Sequence, residues 1–195
     1  MSALQVGEEI TVGPYARSDL RELVPVIESN REYLRQWIGF VSSVRSDAEH
    51  RSRLERLIAR QRRGELAGGP IRQSGTIVGE AELGGLRNGN RSASLMYWLA
   101  EDAQGRGIVT AVCWRLLALA FYELRLNRVE ISAATENQRS RAVAERLGMR
   151  LEGVLREYHL RNGKLHDLAI YSMLAREWTG RGEARADSAE AKART

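Results

Sequence analysis

A strand-like stretch, a glycine-bearing turn and a helix-like stretch follow one another in SLMYWLA, EDAQGRG and IVTAVCWRLLALAF, residues 94–121. Such a junction presents several unpaired backbone N–H groups at the positive end of a helix dipole, and this geometry binds phosphate. Gly105 and Gly107 let an anion approach the main chain, while Gln104, Arg106 and the hydroxyl of Thr110 can add donors. From these residues alone, a phosphate cradle and a plain turn into a core helix are both open.

The turn does not match in full either of two other phosphate-binding motifs. A P-loop needs Gly-x-x-x-x-Gly-Lys-Ser/Thr, which the sequence lacks. The dinucleotide fingerprint Gly-x-Gly-x-x-Gly comes closer, but Thr110 occupies its third glycine and the preceding strands read as a hairpin. Glu130 lies where a ribose-binding acid would fall, so a dinucleotide site stays open as an alternative.

Local patterns predict the remaining elements and a sheet with an antiparallel centre. The predicted helices cover Asp19–Trp37, Asp47–Arg63, a segment from Gly107 onward, and Asn137 to Leu147, where Gly148 supplies a left-handed stop. The predicted strands are EEITVGPY, GTIVGEAELGGL, RSASLMYWLA, NRVEISAA, MRLEGVLREYHLR and LHDLAIYSML. RNGN and Asn162-Gly163 are hairpin signals.

Composition narrows the class of protein. The chain has 195 residues, 43% of them apolar, which suits one globular domain, and the polar residues 179–195 are expected to form a flexible tail. No signal segment or membrane span is recognisable, which predicts a cytoplasmic protein with no membrane partner. Cys113 reads as a buried hydrophobe, and the few scattered histidines give no metal site. The net charge of +5 comes without a nucleic-acid-binding motif, so no nucleic-acid partner is expected.

Three segments together carry a family resemblance. YWLAEDAQGRGIVTAV, NRVEISAATENQRSRAVAERLGMRLEG and YHLRNGKLHDLAIYSML are similar to the GNAT family of acetyl-CoA-dependent N-acetyltransferases, and within it to the RimJ/RimL-type branch. The resemblance implies an α/β (α+β) GNAT domain over residues 7–178, with a mixed, mostly antiparallel sheet flanked by helices. The implied element order is β-α-α-β-β-β-α-β-α-β-β.

The resemblance also implies a cofactor-binding set for acetyl-CoA. The family's loop reads Gln/Arg-x-x-Gly-x-Gly/Ala, in which Gln104 and Gly107 match and Val109 departs from the final small residue. The strand ending MYWL is expected to splay from its neighbour and to pair with the pantetheine arm. The full set is Trp98, Leu99, Gln104, Gly105, Arg106, Gly107, Ile108, Val109, Thr110, Asn137 and Ser140.

Transfer of an acetyl group from a thioester to an amine needs a neutral amine and a proton donor for the leaving thiolate. Ser140 is the candidate donor, since the resemblance places it beside the sulfur, although Asn137 and Ser140 could simply cap a helix. The RimL-like branch has a carboxylate on the strand after Gly153, and here that register falls on His159. Glu82 is the rival base, acting through a water.

The acceptor amine is not fixed by these motifs. The resemblance favours the N-terminal α-amine of a protein of the ribosomal type; acetylation of a small amine and a non-catalytic acyl-CoA-binding module are the alternatives. Arg56, Arg60 and Arg63 on the second predicted helix suggest an acidic partner. Trp37 and Trp178 could serve either a homodimer or a substrate groove.

Overall fold

The computed structural model describes residues 2–86 and 88–180 of the chain. The tail expected from residue 179 onward therefore lies, apart from Thr179 and Gly180, outside the described residues. The described residues form one eight-stranded sheet whose strands lie in chain order, except that the eighth strand lies between the sixth and the seventh. The fifth and sixth strands pair in parallel and the other described neighbours are antiparallel, so the expected mixed, mostly antiparallel α/β sheet is confirmed.

The elements follow the implied order, with extra short pieces near the N-terminus. The strands are β1 Leu4–Gln5, β2 Ile10–Val12, β3 Leu66–Gln73, β4 Thr76–Gly84, β5 Ser92–Leu99, β6 Arg128–Ala134, β7 Arg150–Arg161 and β8 Lys164–Leu174. The α-helices are α1 Leu20–Ser29, α2 Arg31–Leu34, α3 Gly39–Ser43, α4 Asp47–Arg62, α5 Ile108–Ala118 and α6 Gln138–Arg146. A π-helical turn, Leu119–Glu123, continues α5.

Each face of the sheet has its own apolar core, because side chains alternate along a strand. On β5, Leu95 and Leu99 join the larger cluster, which contains residues of α5 and α6, whereas Trp98 joins a second cluster with residues of α1 and α4. Cys113 lies buried in the larger cluster, as its apolar setting predicted. The two cores hold the ends of β5 between helices on both sides.

The prediction of one continuous helix over Asp19–Trp37 is wrong. The segment divides at Asn30, where φ is −108° and ψ is 9°, into α1 and the single turn α2. The Asn30 Nδ2 donates to the carbonyl of Val26 at 2.9 Å, and its Oδ1 accepts from the amide of Glu101 at 2.8 Å. The asparagine therefore ends α1 and ties the break to the segment after β5.

Strand β3 was not located by its sequence pattern. Its core, Gly68-Gly69-Pro70, reads as a turn. Yet Gly68 and Gly69 have φ of +95° and +150°, and a Cβ on either would overlap a carbonyl oxygen of a neighbouring strand or segment. These glycines permit a close backbone approach inside the sheet, which a single-sequence pattern does not distinguish from a turn.

Several local signals near the C-terminal half are confirmed. Asn137 caps α6, its side chain accepting from the amide of Ser140 at 3.1 Å, and Gly148 follows α6 with φ of +75°. Asn162 and Gly163 both have positive φ and join β7 to β8 in an antiparallel hairpin. The expected splay is also present: β5 and β6 pair at three positions, ending at Ser94 with Glu130, and then separate.

Candidate active site

A cleft of about 1190 Å³ opens where β5 and β6 separate. It is lined by the ends of both strands, the turn before α5, the first turns of α6, the segment from α2 to α3, and the end of β7. Of the sequence-predicted site residues, it brings together Glu82, Trp98, Leu99, Gln104, Gly105, Gly107, Ile108, Val109, Thr110, Asn137, Ser140 and His159.

The glycine turn presents its backbone to this cleft. Gly107 is the N-cap of α5 with φ of +77°, Gly105 has the same φ, and a Cβ built on either would have no atom within 4 Å. The amide of Ala111 bonds the carbonyl of Gly107 at 3.0 Å, so the preceding amides belong to the helix end that lacks intrahelical acceptors. The turn can therefore offer N–H donors to an anion in the cleft.

Gln104 connects this turn to three other elements. Its Oε1 accepts from the hydroxyl of Tyr33 on α2 at 3.3 Å and from Nη1 of Arg139 on α6 at 2.8 Å. Its Nε2 donates to the carbonyl of Leu99 at the end of β5, at 3.2 Å. The side chain thus holds the turn against β5, α2 and α6.

The cations near the turn differ from those expected. Arg106 is exposed, is not among the residues that line the cleft, and donates to the carbonyl of Asp102. Arg139 and Arg146 of α6 line the cleft instead, and Arg146 Nε lies 3.4 Å from the hydroxyl of Thr110. Both were missed because the sequence pattern of α6 gave no sign that this face would lie beside the turn.

Ser140 lies in the same cleft, at the start of α6. The hydroxyl of Tyr97 on β5 lies 3.0 Å from its Oγ and 3.1 Å from its carbonyl oxygen, so its single proton can be donated to either oxygen. Tyr97, which is not among the sequence-predicted site residues, therefore contacts a candidate catalytic residue through its hydroxyl. Burial raises the pKa of Tyr97, so the phenol stays protonated.

A buried polar cluster forms part of the cleft wall on β4. The guanidinium of Arg53 donates to both carboxylate oxygens of Glu80, at 3.1 and 2.6 Å, and the indole of Trp98 donates to Oε2 of Glu80 at 2.6 Å. Arg53 also lies 3.6 Å above the ring of Phe40 in α3. Glu80 is therefore fully paired, and its partners fix α3 and α4 against the strand.

Glu82, the neighbouring carboxylate on the same face of β4, has fewer partners. Its Oε2 accepts from the hydroxyl of Tyr15 at 3.2 Å. Burial raises the pKa of Glu82, and the charge of Glu80 adds to the rise, while Arg53 and the Tyr15 hydrogen bond act in the opposite direction. A buried carboxyl with a raised pKa in a cleft is suited to accept a proton.

His159 reaches the cleft from the end of β7. Its Nε2 lies 3.2 Å from Nη2 of Arg161, and because a guanidinium has no acceptor, the imidazole accepts this hydrogen bond. Burial lowers the pKa of His159, with the positive charge of Arg161 and then that of His166 adding to the effect. The imidazole is therefore neutral, with one nitrogen already occupied.

The cleft fits an extended, phosphate-bearing ligand. The glycine turn, Arg139 and Arg146 supply anion donors at one end, and beside them lie the facing edges of β5 and β6, which do not pair with each other beyond Ser94 and Glu130. In the dinucleotide alternative Glu130 would bind a ribose, but it pairs with Arg128 at 2.8 Å. β4 and β5 pair antiparallel, as the hairpin pattern predicted, but β5 also begins a β-α-β unit with α5 and β6, so the hairpin alone does not exclude a dinucleotide site.

Among residues 2–86 and 88–180, no three or more His, Cys, Asp or Glu side chains come close enough together to hold a metal ion. No helix there has the length and apolarity to cross a membrane.

Comparisons with known proteins agree with this geometry. Residues 9–150 match the model of the acetyltransferase (GNAT) domain. "Putative ribosomal N-acetyltransferase YdaF" of Bacillus subtilis (strain 168) is 39% identical over 184 residues, 92% of this chain and 99% of the relative. The ribosomal-protein-serine acetyltransferase of Escherichia coli (strain K12) is 25% identical over 88% of this chain and 96% of its own.

A solved structure shows the same fold with the cofactor. RimL, described as a ribosomal L7/L12 alpha-N-protein acetyltransferase in complex with coenzyme A, superposes with a TM-score of 0.86 at 25% identity, covering 89% of this chain and 98% of RimL. The strand splay, the glycine turn at the start of α5 and these matches lead to one assignment. The chain belongs to the GNAT family, in its RimJ/RimL-like branch, and is an acetyl-CoA-dependent N-acetyltransferase.

Proposed function

We propose that the protein acetylates the N-terminal α-amine of a protein substrate. The observation that carries this proposal is that Ser140 and Glu82 line one cleft, which also contains the glycine turn. An α-amine has a pKa of about 7.7–8.0, against about 10.4 for lysine, so a single weak base is enough to neutralise it. The names of two relatives, a ribosomal-protein-serine acetyltransferase and RimL, support a protein N-terminus as the acceptor.

Acetyl-CoA supplies the acetyl group already activated as a thioester. We assign its phosphates to the backbone amides of residues 105–110, together with the side chains of Gln104, Arg139 and Arg146. Main-chain groups of Trp98 and Leu99, with Asn137 on the opposite side, are assigned to the pantetheine arm. Arg106, which points to Asp102, contributes to the charge near the turn without lining the cleft.

Ser140 is assigned as the hydrogen-bond donor to the departing sulfur. When the hydroxyl of Tyr97 donates to Ser140 Oγ, the hydroxyl proton of Ser140 is free to point toward the sulfur. Chains of hydroxyl donors polarise one another, so Tyr97 strengthens the donation by Ser140. The phenol itself remains protonated because burial raises its pKa.

Glu82 is assigned as the base that receives the proton of the amine, directly or through one water. Its raised pKa brings its basicity closer to that of an α-amine, and the hydrogen bond from Tyr15 fixes one of its oxygens. His159 was the other candidate. Its Nε2 already accepts from Arg161, and its pKa is lowered, so we assign it to holding Arg161 in place.

The proposal is tested by thiol release from acetyl-CoA with two sets of acceptors, unblocked peptides and small polyamines or amino acids. Peptides with a free N-terminus are expected to react, and the same peptides with a blocked N-terminus and an internal lysine are expected not to. Ser140→Ala and Glu82→Gln should each lower kcat by about 10²-fold, while coenzyme A still raises the melting temperature. Reaction with small amines alone would overturn the protein acceptor.

A further inference from the structure

Arg161, at the end of β7, is a partly buried arginine that lines the cleft. Its Nη1 donates to the carbonyl of Gln36 at 3.1 Å, and its Nη2 donates to Nε2 of His159 at 3.2 Å. Its Nε is buried and has no hydrogen-bond partner among the described residues. A guanidinium has five N–H donors, so these two bonds leave most of its donor capacity unused.

Three other partly buried arginines have carboxylate partners. Arg53 pairs with Glu80 at 2.6 Å and Arg72 with Asp19 at 2.8 Å, and Arg128 is bound by Glu130 and Glu152. Arg161 has no such carboxylate within ion-pair distance in residues 2–86 and 88–180. Because buried charges in proteins are normally paired, this cation in an open cleft lacks the anion that would complete it.

The position of Arg161 indicates which ligand brings that anion. The anion donors assigned to the cofactor come from the turn before α5 and from α6. Arg161 instead comes from the C-terminal hairpin. It bonds the carbonyl of Gln36, and the residues that follow, 37–40, line the cleft, as does Glu82. Because Arg161 does not belong to the elements assigned to the cofactor, we assign its missing anion to the acceptor.

We infer that Arg161 is a specificity-determining residue that binds a carboxylate on the acceptor, namely the side chain of an aspartate or glutamate close to the N-terminus that is acetylated. A planar guanidinium matches a carboxylate with two parallel hydrogen bonds. The neutral imidazole of His159 accepts one N–H and so orients the others without cancelling the charge. This inference rests on the proposed acetylation of protein N-termini and adds the class of sequence that is preferred.

The inference is tested with matched peptides that carry Asp, Asn or Lys in turn at positions 1, 2 and 3. Four proteins are compared: the unchanged chain, Arg161→Gln, Arg161→Lys, and Arg156→Gln, which alters an exposed arginine on the same strand. Two quantities are measured, kcat/KM from thiol release and the peptide Kd by titration in the presence of coenzyme A. Melting temperatures establish that each variant is folded.

At one of these positions the unchanged protein is expected to prefer Asp over Asn by about tenfold or more in both quantities. Arg161→Gln should bring the ratio close to one while its reaction with the Asn peptide changes little. Arg161→Lys should keep part of the preference, and Arg156→Gln should keep all of it. An unchanged ratio in Arg161→Gln, or no preference in the unchanged protein, overturns the inference and leaves N-terminal acetylation standing.

Other results would also bear on the proposed protein acceptor. If no unblocked peptide reacts although coenzyme A binds, the proposed protein acceptor fails and this inference fails with it. If a free amino acid reacts in an Arg161-dependent way while peptides do not, the anion is a small-molecule carboxylate, and the assignment to a peptide side chain is wrong.

Discussion

The phenolic oxygen of Tyr97 lies 3.0 Å from Oγ of Ser140, which joins a β5 side chain to the first turn of α6 across the strand splay. Tyr97→Phe keeps the ring and removes this bond, so kcat should fall about three- to tenfold, in line with a net contribution of about 0.5–1.5 kcal/mol. Thiol-release kinetics of Tyr97→Phe, Ser140→Ala and the double variant measure the effect. Full additivity of the two losses would show that Tyr97 does not act through Ser140.

Glu82 should make stability depend on pH. Its raised pKa means that, between its ordinary pKa of 4.5 and the value in the folded protein, the folded state holds the proton more tightly than the unfolded state. The free energy of unfolding of the unchanged protein should therefore fall, relative to Glu82→Gln, as pH rises through this window, and the difference should stay constant above it. Urea unfolding of both proteins from pH 4 to pH 8 tests the sign; a relative gain in stability with rising pH would contradict it.

Arg53 and Glu80 should be strongly coupled. Arg53→Met leaves the buried carboxylate of Glu80 without its bidentate partner, and we expect a loss of about 3–5 kcal/mol in the free energy of unfolding. Combining it with Glu80→Gln should recover part of that loss. Arg56→Met, which removes an exposed arginine of the same helix, should stay within about 0.5 kcal/mol. Equal losses for the two arginines would refute the pairing as a source of stability.

A substitution at Gly107 should lower both the stability of the protein and its affinity for coenzyme A. Gly107→Ala meets no neighbouring atom but must adopt φ near +77°, which costs about 1–2 kcal/mol. Gly148→Ala has the same strain and the same open surroundings, and Gly148 is not a cleft residue. Both variants should lose similar stability in urea, whereas only Gly107→Ala should bind coenzyme A more weakly by calorimetry. Equal affinities would exclude the turn as the phosphate site.

Local signals predicted the parts of the fold that depend on a few adjacent residues. The cap at Asn137, the left-handed stop at Gly148 and the turn at Asn162 are set by backbone preferences of those residues, and each was found where expected. Strand β3 and the break at Asn30 were not, because a close approach to another strand and a bond to Glu101 decide them. Neither is visible in a window of neighbouring sequence.

Some residues of the candidate site could likewise be predicted from local motifs, and others could not. The glycine turn and Ser140 could be predicted as site residues because each belongs to a motif with a fixed spacing. Arg139 and Arg161 belong to no such motif, and only the packing of α6 and of the C-terminal hairpin brings them into the cleft. Arg63, one of the three arginines that suggested an acidic partner, bonds Glu65 at 2.6 Å. Arg161 is a second candidate for binding an acidic group of a partner.

Three paired positions between β5 and β6 join the two parts of this sheet, which we call its blades: β1 to β5 form one blade, and β6 to β8 form the other. One apolar core, which includes α5 and α6, packs on strands of both blades, and slow amide exchange is expected in the ladder and in the strands away from the gap. A ligand that spans the gap would act as a cross-brace between the blades.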